Sequence, residues 1–167
     1  PDLAAIATFA LGTLDYKAGS LGVARARLED ALRLFTTVRD EPKRVAVLLV
    51  SGHVARDDGR IPEAVSAFDT AASRAAELDD EAAEVAARAS AGLAALDEGN
   101  TDTAEACLRR VDEVLAVGTI PSWFAGRELA DALGVRVAVG VGHTGLATER
   151  FERALSLAEP NDAFAAA

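Results

Sequence analysis

A chain of 167 residues with a net charge of −10, half of it apolar and only 5% aromatic, is long enough to bury one core or to stack several small ones, and too apolar to be a disordered tail. Its acidity repels nucleic acid, its single cysteine (Cys107) permits neither an internal disulfide nor a multi-cysteine zinc site, and no apolar run reaches the roughly 18 residues of a membrane span. The apolar share is mainly Ala, Leu and Val with five prolines in all, which predicts helices and few or no strands.

In chain order, the first unit spans about residues 3–39. Gly12 is followed seven residues later by Gly19, then by Ala24, Leu28 and Ala31 at further steps of five, four and three. The second unit, 41–78, repeats the series as Gly52, Gly59, Ala64, Phe68 and Ala71, with Asp40 and Pro42 marking one helix start and Pro62 the next. The third, 80–117, gives Gly92, Gly99, Ala104, Leu108 and Val111, with Asn100 before Thr101 as a helix start, so the period is 40 residues twice over. The fourth, 121–158, keeps Gly142, Ala147, Phe151 and Ala154 at the same offsets. There Gly134 lies eight residues before the turn glycine, the step from Gly99 to Gly142 is 43, and a small insertion is expected within residues 117–126, with Pro121 opening the helix that follows.

Each unit reads as two antiparallel helices. The first glycine lets helix A approach helix B closely, and the second ends helix A in the left-handed conformation. The Ala, Leu or Phe, Ala series lies on one face of helix B. Gly140, Gly142 and Gly145 match a G-x-G-x-x-G dinucleotide fingerprint, but that turn needs a parallel sheet around it, and the register with three other turns makes it a repeat turn.

In these residues the chain resembles the tetratricopeptide repeat (TPR) family over about residues 3–157. It departs from that family in its 40-residue period, where about 34 is commonest, in lacking the early tryptophan, and in placing a proline, Pro160, after one unit only. The resemblance implies an all-α, right-handed α-solenoid of four helix-turn-helix repeats in one domain. The wording of residues 36–68, "TTVRDEPKRVAVLLVSGHVARDDGRIPEAVSAF", resembles the helical repeat regions of large bacterial LuxR-type and antibiotic-regulator-type transcription activators. The absence of methionine and the chain ends read as a piece of a longer protein.

No catalytic constellation stands out. His53 and His143 are far apart and outside any metal-spaced motif, there is no G-x-S-x-G and no P-loop, and the carboxylates of Asp57–Asp58, Asp97–Glu98 and Leu78–Glu84 fall where solvated helix ends are expected. Cys107 reads as a small buried side chain. We therefore expect no enzyme, no cofactor and no metal, and with no secretion signal a cytoplasmic location.

What remains is a surface. By the resemblance, partner contacts come from the A-helix positions that face the groove: Phe9, Thr13, Tyr16 and Lys17; Leu49, Val50, His53 and Arg56; Ala89, Ser90 and Leu93; Leu133 and Arg136. Thr13, His53 and Leu93 occupy the places of the asparagines that grip a C-terminal carboxylate in the well-known version, so that clamp is absent. The mainly apolar face suits an amphipathic helix or apolar segment of a protein or peptide, or self-association, and neither nucleic acid nor membrane. The function this implies is protein interaction or signal sensing within a bacterial transcriptional regulator; the alternatives are a scaffold for assembly or secretion, and a spacer between an ATPase and a DNA-binding domain.

Overall fold

The computed structural model describes residues 3–117, 120 and 126–158. Among them eight helices follow one another with no strand: α1 (Leu3–Lys17), α2 (Leu21–Thr37), α3 (Glu41–Asp57), α4 (Ile61–Glu77), α5 (Glu81–Asp97), α6 (Thr101–Ala116), α7 (Gly126–Gly140) and α8 (Thr144–Ala158). Odd-numbered helices are the A helices, even-numbered the B helices. Pro121, Pro160 and the side chain of Ala154 lie outside the described residues.

The turns explain the regular helix lengths. Inside each pair the turn glycine has φ of 75–77° (Gly19, Gly59, Gly99, Gly142), and between the pairs the same left-handed position is held by Arg39 (φ 55°) and Asp79 (φ 54°). At every one of these turns the next N–H reaches back five residues and closes the preceding helix, as Ser20 does to the Asp15 carbonyl at 2.9 Å, Asp40 to Phe35 at 3.0 Å and Arg60 to Ala55 at 2.8 Å. The following helix is then capped: Asp40, Asp80 and Asn100 accept from the backbone N–H groups of Lys43, Ala83 and Thr103.

Each helix packs on its sequence neighbours, and each A helix touches the next A helix, as in a solenoid whose units meet only the units beside them. The first core joins Ala5, Ala24, Leu28, Ala31 and Phe35 to Val47 and Val54 of the next A helix. A second joins Ala64 and Phe68 to Ala91, Leu93 and Ala94 in the same way. The A-helix glycines set the spacing. A methyl group on Gly52 would stand 2.5 Å from the Phe68 ring, one on Gly12 3.2 Å from Leu28, so in the first two units the gap beside the glycine is filled by the B-helix residue sixteen positions on.

The fourth unit breaks this register. The residue sixteen positions after Gly134 is Arg150, whose guanidinium occupies the place of a Gly134 side chain, and Phe151, aligned with Phe68 by its turn glycine, is 54% exposed where Phe68 is 0%. Arg150 turns back to Asp112 on α6, at 2.7 Å. Helix α7, freed by the longer α6–α7 connection, packs mainly against α5 instead of α6. Leu133 fills the space beside Gly92 together with Cys107, and Leu108, expected there from the repeat, is only half-buried.

Candidate functional site

The face formed by the A helices is best developed on α1 and α3. Phe9, Thr13, Tyr16, Leu49, Val50, His53 and Arg56 are half-buried there and Lys17 is exposed. Phe9 meets Phe35 edge to face at 6.4 Å, which fixes its ring from below. His53 meets Phe68 in the same manner at 4.9 Å. Burial of the imidazole, reinforced by the nearby Arg56 guanidinium, holds its pKa below the ordinary histidine value, although Asp57 acts the other way. His53 therefore presents a neutral, amphipathic ring to the face.

At the C-terminal ends of the A helices a chain of polar contacts crosses from unit to unit. Tyr16 Oη donates to Asp57 Oδ2 at 2.7 Å, Arg56 Nε donates to Asp97 Oδ2 at 2.8 Å, and Arg136 Nη2 donates to Asp97 Oδ1 at 3.0 Å. The first two bonds join equivalent positions one repeat apart: residues 16 to 57 and 56 to 97. Burial pushes the Tyr16 hydroxyl up to about 12, with the Asp57 carboxylate adding to it. Burial also disfavours ionised Asp97, but its hydrogen bonds from Arg56 and Arg136 outweigh that effect and its pKa lies below the usual carboxylate value. These pairs are part-exposed, so their geometric role in setting helix spacing exceeds their net contribution to stability.

Four of the expected contact residues are not on a surface. Ala89 and Leu133 are fully buried, and Ser90 and Leu93 nearly so. The repeat places them on the A face of α5 and α7, but α7 lies across α5 and turns both faces into core; Leu93 and Leu133 share one apolar cluster. Asp57 and Asp97, expected as solvated helix ends, are the acceptors of the inter-unit chain. Their recurrence 40 residues apart is the one signal in the sequence that could have marked them. Arg136 stays part-exposed, engaged with Asp97.

Among the described residues no group of three or more His, Cys, Asp or Glu side chains is placed to hold a metal, and no helix is long and apolar enough to cross a membrane. Cys107 is buried, and burial raises its thiol pKa. The Gly140–Gly145 stretch is the α7–α8 turn, with Gly142 at φ 77° and His143 exposed beside it.

Fold comparison agrees with this architecture. The chain is similar to the nearly identical TPR-like repeats of a putative kinesin light chain from Podosopora anserina, with a TM-score of 0.71 and 18% identity over 94% of the present chain and 76% of the other. A single-substitution form of that protein gives 0.74 and 19% over the same shares of the two chains. BtubC (BKLC) from P. vanneervenii gives 0.79 and 17% over the whole of the present chain, which spans 66% of that protein's chain. No family model matches the sequence, and no curated protein matches it. The fold is thus that of a TPR-like α-solenoid.

Proposed function

We propose that this chain is a protein-interaction and signal-sensing segment of a bacterial transcriptional regulator, and that it takes an apolar or amphipathic helical segment of another protein on the A-helix face of α1 and α3. The observation that carries the reading is the contrast between units. The A face of α5 is closed by α7, whereas α1 leaves Phe9 and Thr13, and α3 leaves Leu49 and His53, half-buried, with only neutral groups among these four. A surface of that kind gains from receiving apolar side chains at helical spacing. The assignment to a regulator rests on the resemblance of residues 36–68 to the repeat regions of such activators.

A phage-displayed library of helical peptides, selected against the chain, tests the interaction face. Enriched peptides are expected to lose at least about tenfold in affinity on Thr13→Glu or Leu49→Glu, with helix content retained by circular dichroism, and to tolerate Arg33→Glu on the exposed side of α2. Peptides that ignore both A-face substitutions, or no enrichment at all, would overturn the reading. The regulator assignment is tested on the parent gene: a P-loop ATPase and a helix-turn-helix encoded with this segment support it, and an export signal in their place would favour a secretion scaffold.

A further inference from the structure

Two side chains compete for the gap beside the third A-helix glycine. In the first two units the residue sixteen positions after the glycine fills it: Leu28 and Phe68 are buried, and the residues just before them, Arg27 and Ala67, are half-buried. In the third unit that order is reversed. Cys107 is buried and Leu108 half-buried, and a methyl group on Gly92 would stand 2.7 Å from Leu133 of α7. Helix α7 lies on the A face of α5 as a bound helix would. Its Ala130, Leu133 and Val137, at spacings of three and four, form the buried stripe: Ala130 joins Val85 and Ala89 in one cluster, and Leu133 and Val137 join Leu93 and Ala94 in another. Closure of the face in this way strands polar groups. Among the described residues, Ser90 Oγ on α5, Arg127 Nε on α7 and Arg150 Nε on α8 are buried with no hydrogen-bond partner, an arrangement that works against the docking of α7–α8.

We infer that α7 is a displaceable occupant of the α5 face, with a closed and an open arrangement. In the closed one Leu133 fills the gap beside Gly92. In the open one Leu108 takes the gap as Leu28 and Phe68 do in their units, Cys107 becomes half-exposed like Arg27 and Ala67, and Ala89, Ser90 and Leu93 join the A face of α1 and α3. Both arrangements fill the gap, so neither leaves a cavity, and two packings of one site then lie close in free energy. The partner that takes the place of α7 is an amphipathic helix bringing a leucine to Gly92 on the Ala130, Leu133, Val137 pattern. That partner class rests on the reading of the A face as a helix-binding surface; the opening of α7 does not.

Cys107 carries the only thiol in the chain, so its labelling by a maleimide under native conditions reports the opening. Labelling is expected to be at least about threefold slower in Leu108→Ala than in wild type, because the substitution removes the side chain that fills the gap in the open form. If Leu108→Ala loses helix content, Leu108→Val takes its place. Loosened packing beside the thiol would act the other way and speed the reaction. Leu28→Ala, which weakens the first unit without touching α7, is expected to leave the rate unchanged. The partner class is tested with a fluorescent peptide of residues 126–140, the sequence of α7. It is expected to bind the Leu133→Ala chain at least about tenfold tighter than wild type, whose own α7 is held at high effective concentration. Leu133→Val replaces that variant if it unfolds, and a peptide itself carrying Leu133→Ala is expected to bind neither chain. Unchanged or faster labelling in Leu108→Ala, or faster labelling in Leu28→Ala, would overturn the opening of α7. With the labelling as expected, a peptide that does not distinguish the two chains would overturn the partner class alone.

Discussion

His53 shows how one side chain responds to its place in the stack. Its ring packs edge to face with Phe68 and feels the Arg56 guanidinium, so protonation is opposed first by burial and then by a neighbouring cation. A histidine whose folded pKa is depressed binds fewer protons in the native state than in the unfolded one; its contribution to stability is present above the unfolded value and is lost as pH falls through the folded one. Urea midpoints measured from pH 7.5 down to pH 5 are expected to fall for wild type and to fall less for His53→Gln. Parallel curves for the two proteins would contradict the assignment. The Tyr16 hydroxyl follows the opposite sign at the alkaline end: there folding favours the protonated form, so its contribution is lost as pH rises through the folded value.

Among the turns, two kinds of residue do one job. Gly59 at φ 75° has nothing within 4 Å of where a Cβ would be, so Gly59→Ala is opposed by backbone conformation alone, at about 1 kcal/mol. Arg39 holds the same position between the first two pairs at φ 55° with a full side chain. Arg39→Gly relieves that strain, offset by the greater freedom glycine gives the unfolded chain, for a net gain of up to about 1 kcal/mol. Opposite shifts of melting temperature for the two variants are the expected result, and a loss on Arg39→Gly would show that its side chain, not its backbone, matters there. The hydrogen bond from Asp40 to Phe35 is a main-chain one and survives the change.

Across the full stack, packing is regular for two units and changes from the third. The third unit depends on the fourth through α7, which supplies Leu133 to the gap beside Gly92 and covers Ala89 and Leu93 of α5. Ending the chain after residue 117 is therefore expected to lower the urea midpoint of the remaining helices and to speed hydrogen exchange in α5 more than in α1. Loss of the Leu133 side chain alone removes about 2–5 kcal/mol in comparable buried sites. Unchanged exchange in α5 would mean that α7 merely adjoins it.

Helix pairs, turn glycines and the apolar faces of α2, α4 and α6 were legible in the residue order, whereas Phe151 of the face expected on α8 is exposed. They are consequences of spacings within about twenty residues, and the glycine, proline and N-cap chemistry at the boundaries is local. The same order marks Tyr16, His53 and Arg56 as residues of one face, because a 40-residue period transfers position from unit to unit. What lies against that face is not written there. The eight-residue step from Gly134 to Gly142 and the longer α6–α7 connection are visible in the sequence, but it takes the packed molecule to decide that Arg150 replaces Phe151 beside the glycine, that α7 settles on α5, and that Ser90, Leu93 and Leu133 become core. A shift of one residue turns a helix side chain by about 100°, and where the turned side chain comes to rest is fixed by the volume left between helices from different units, which no local spacing records.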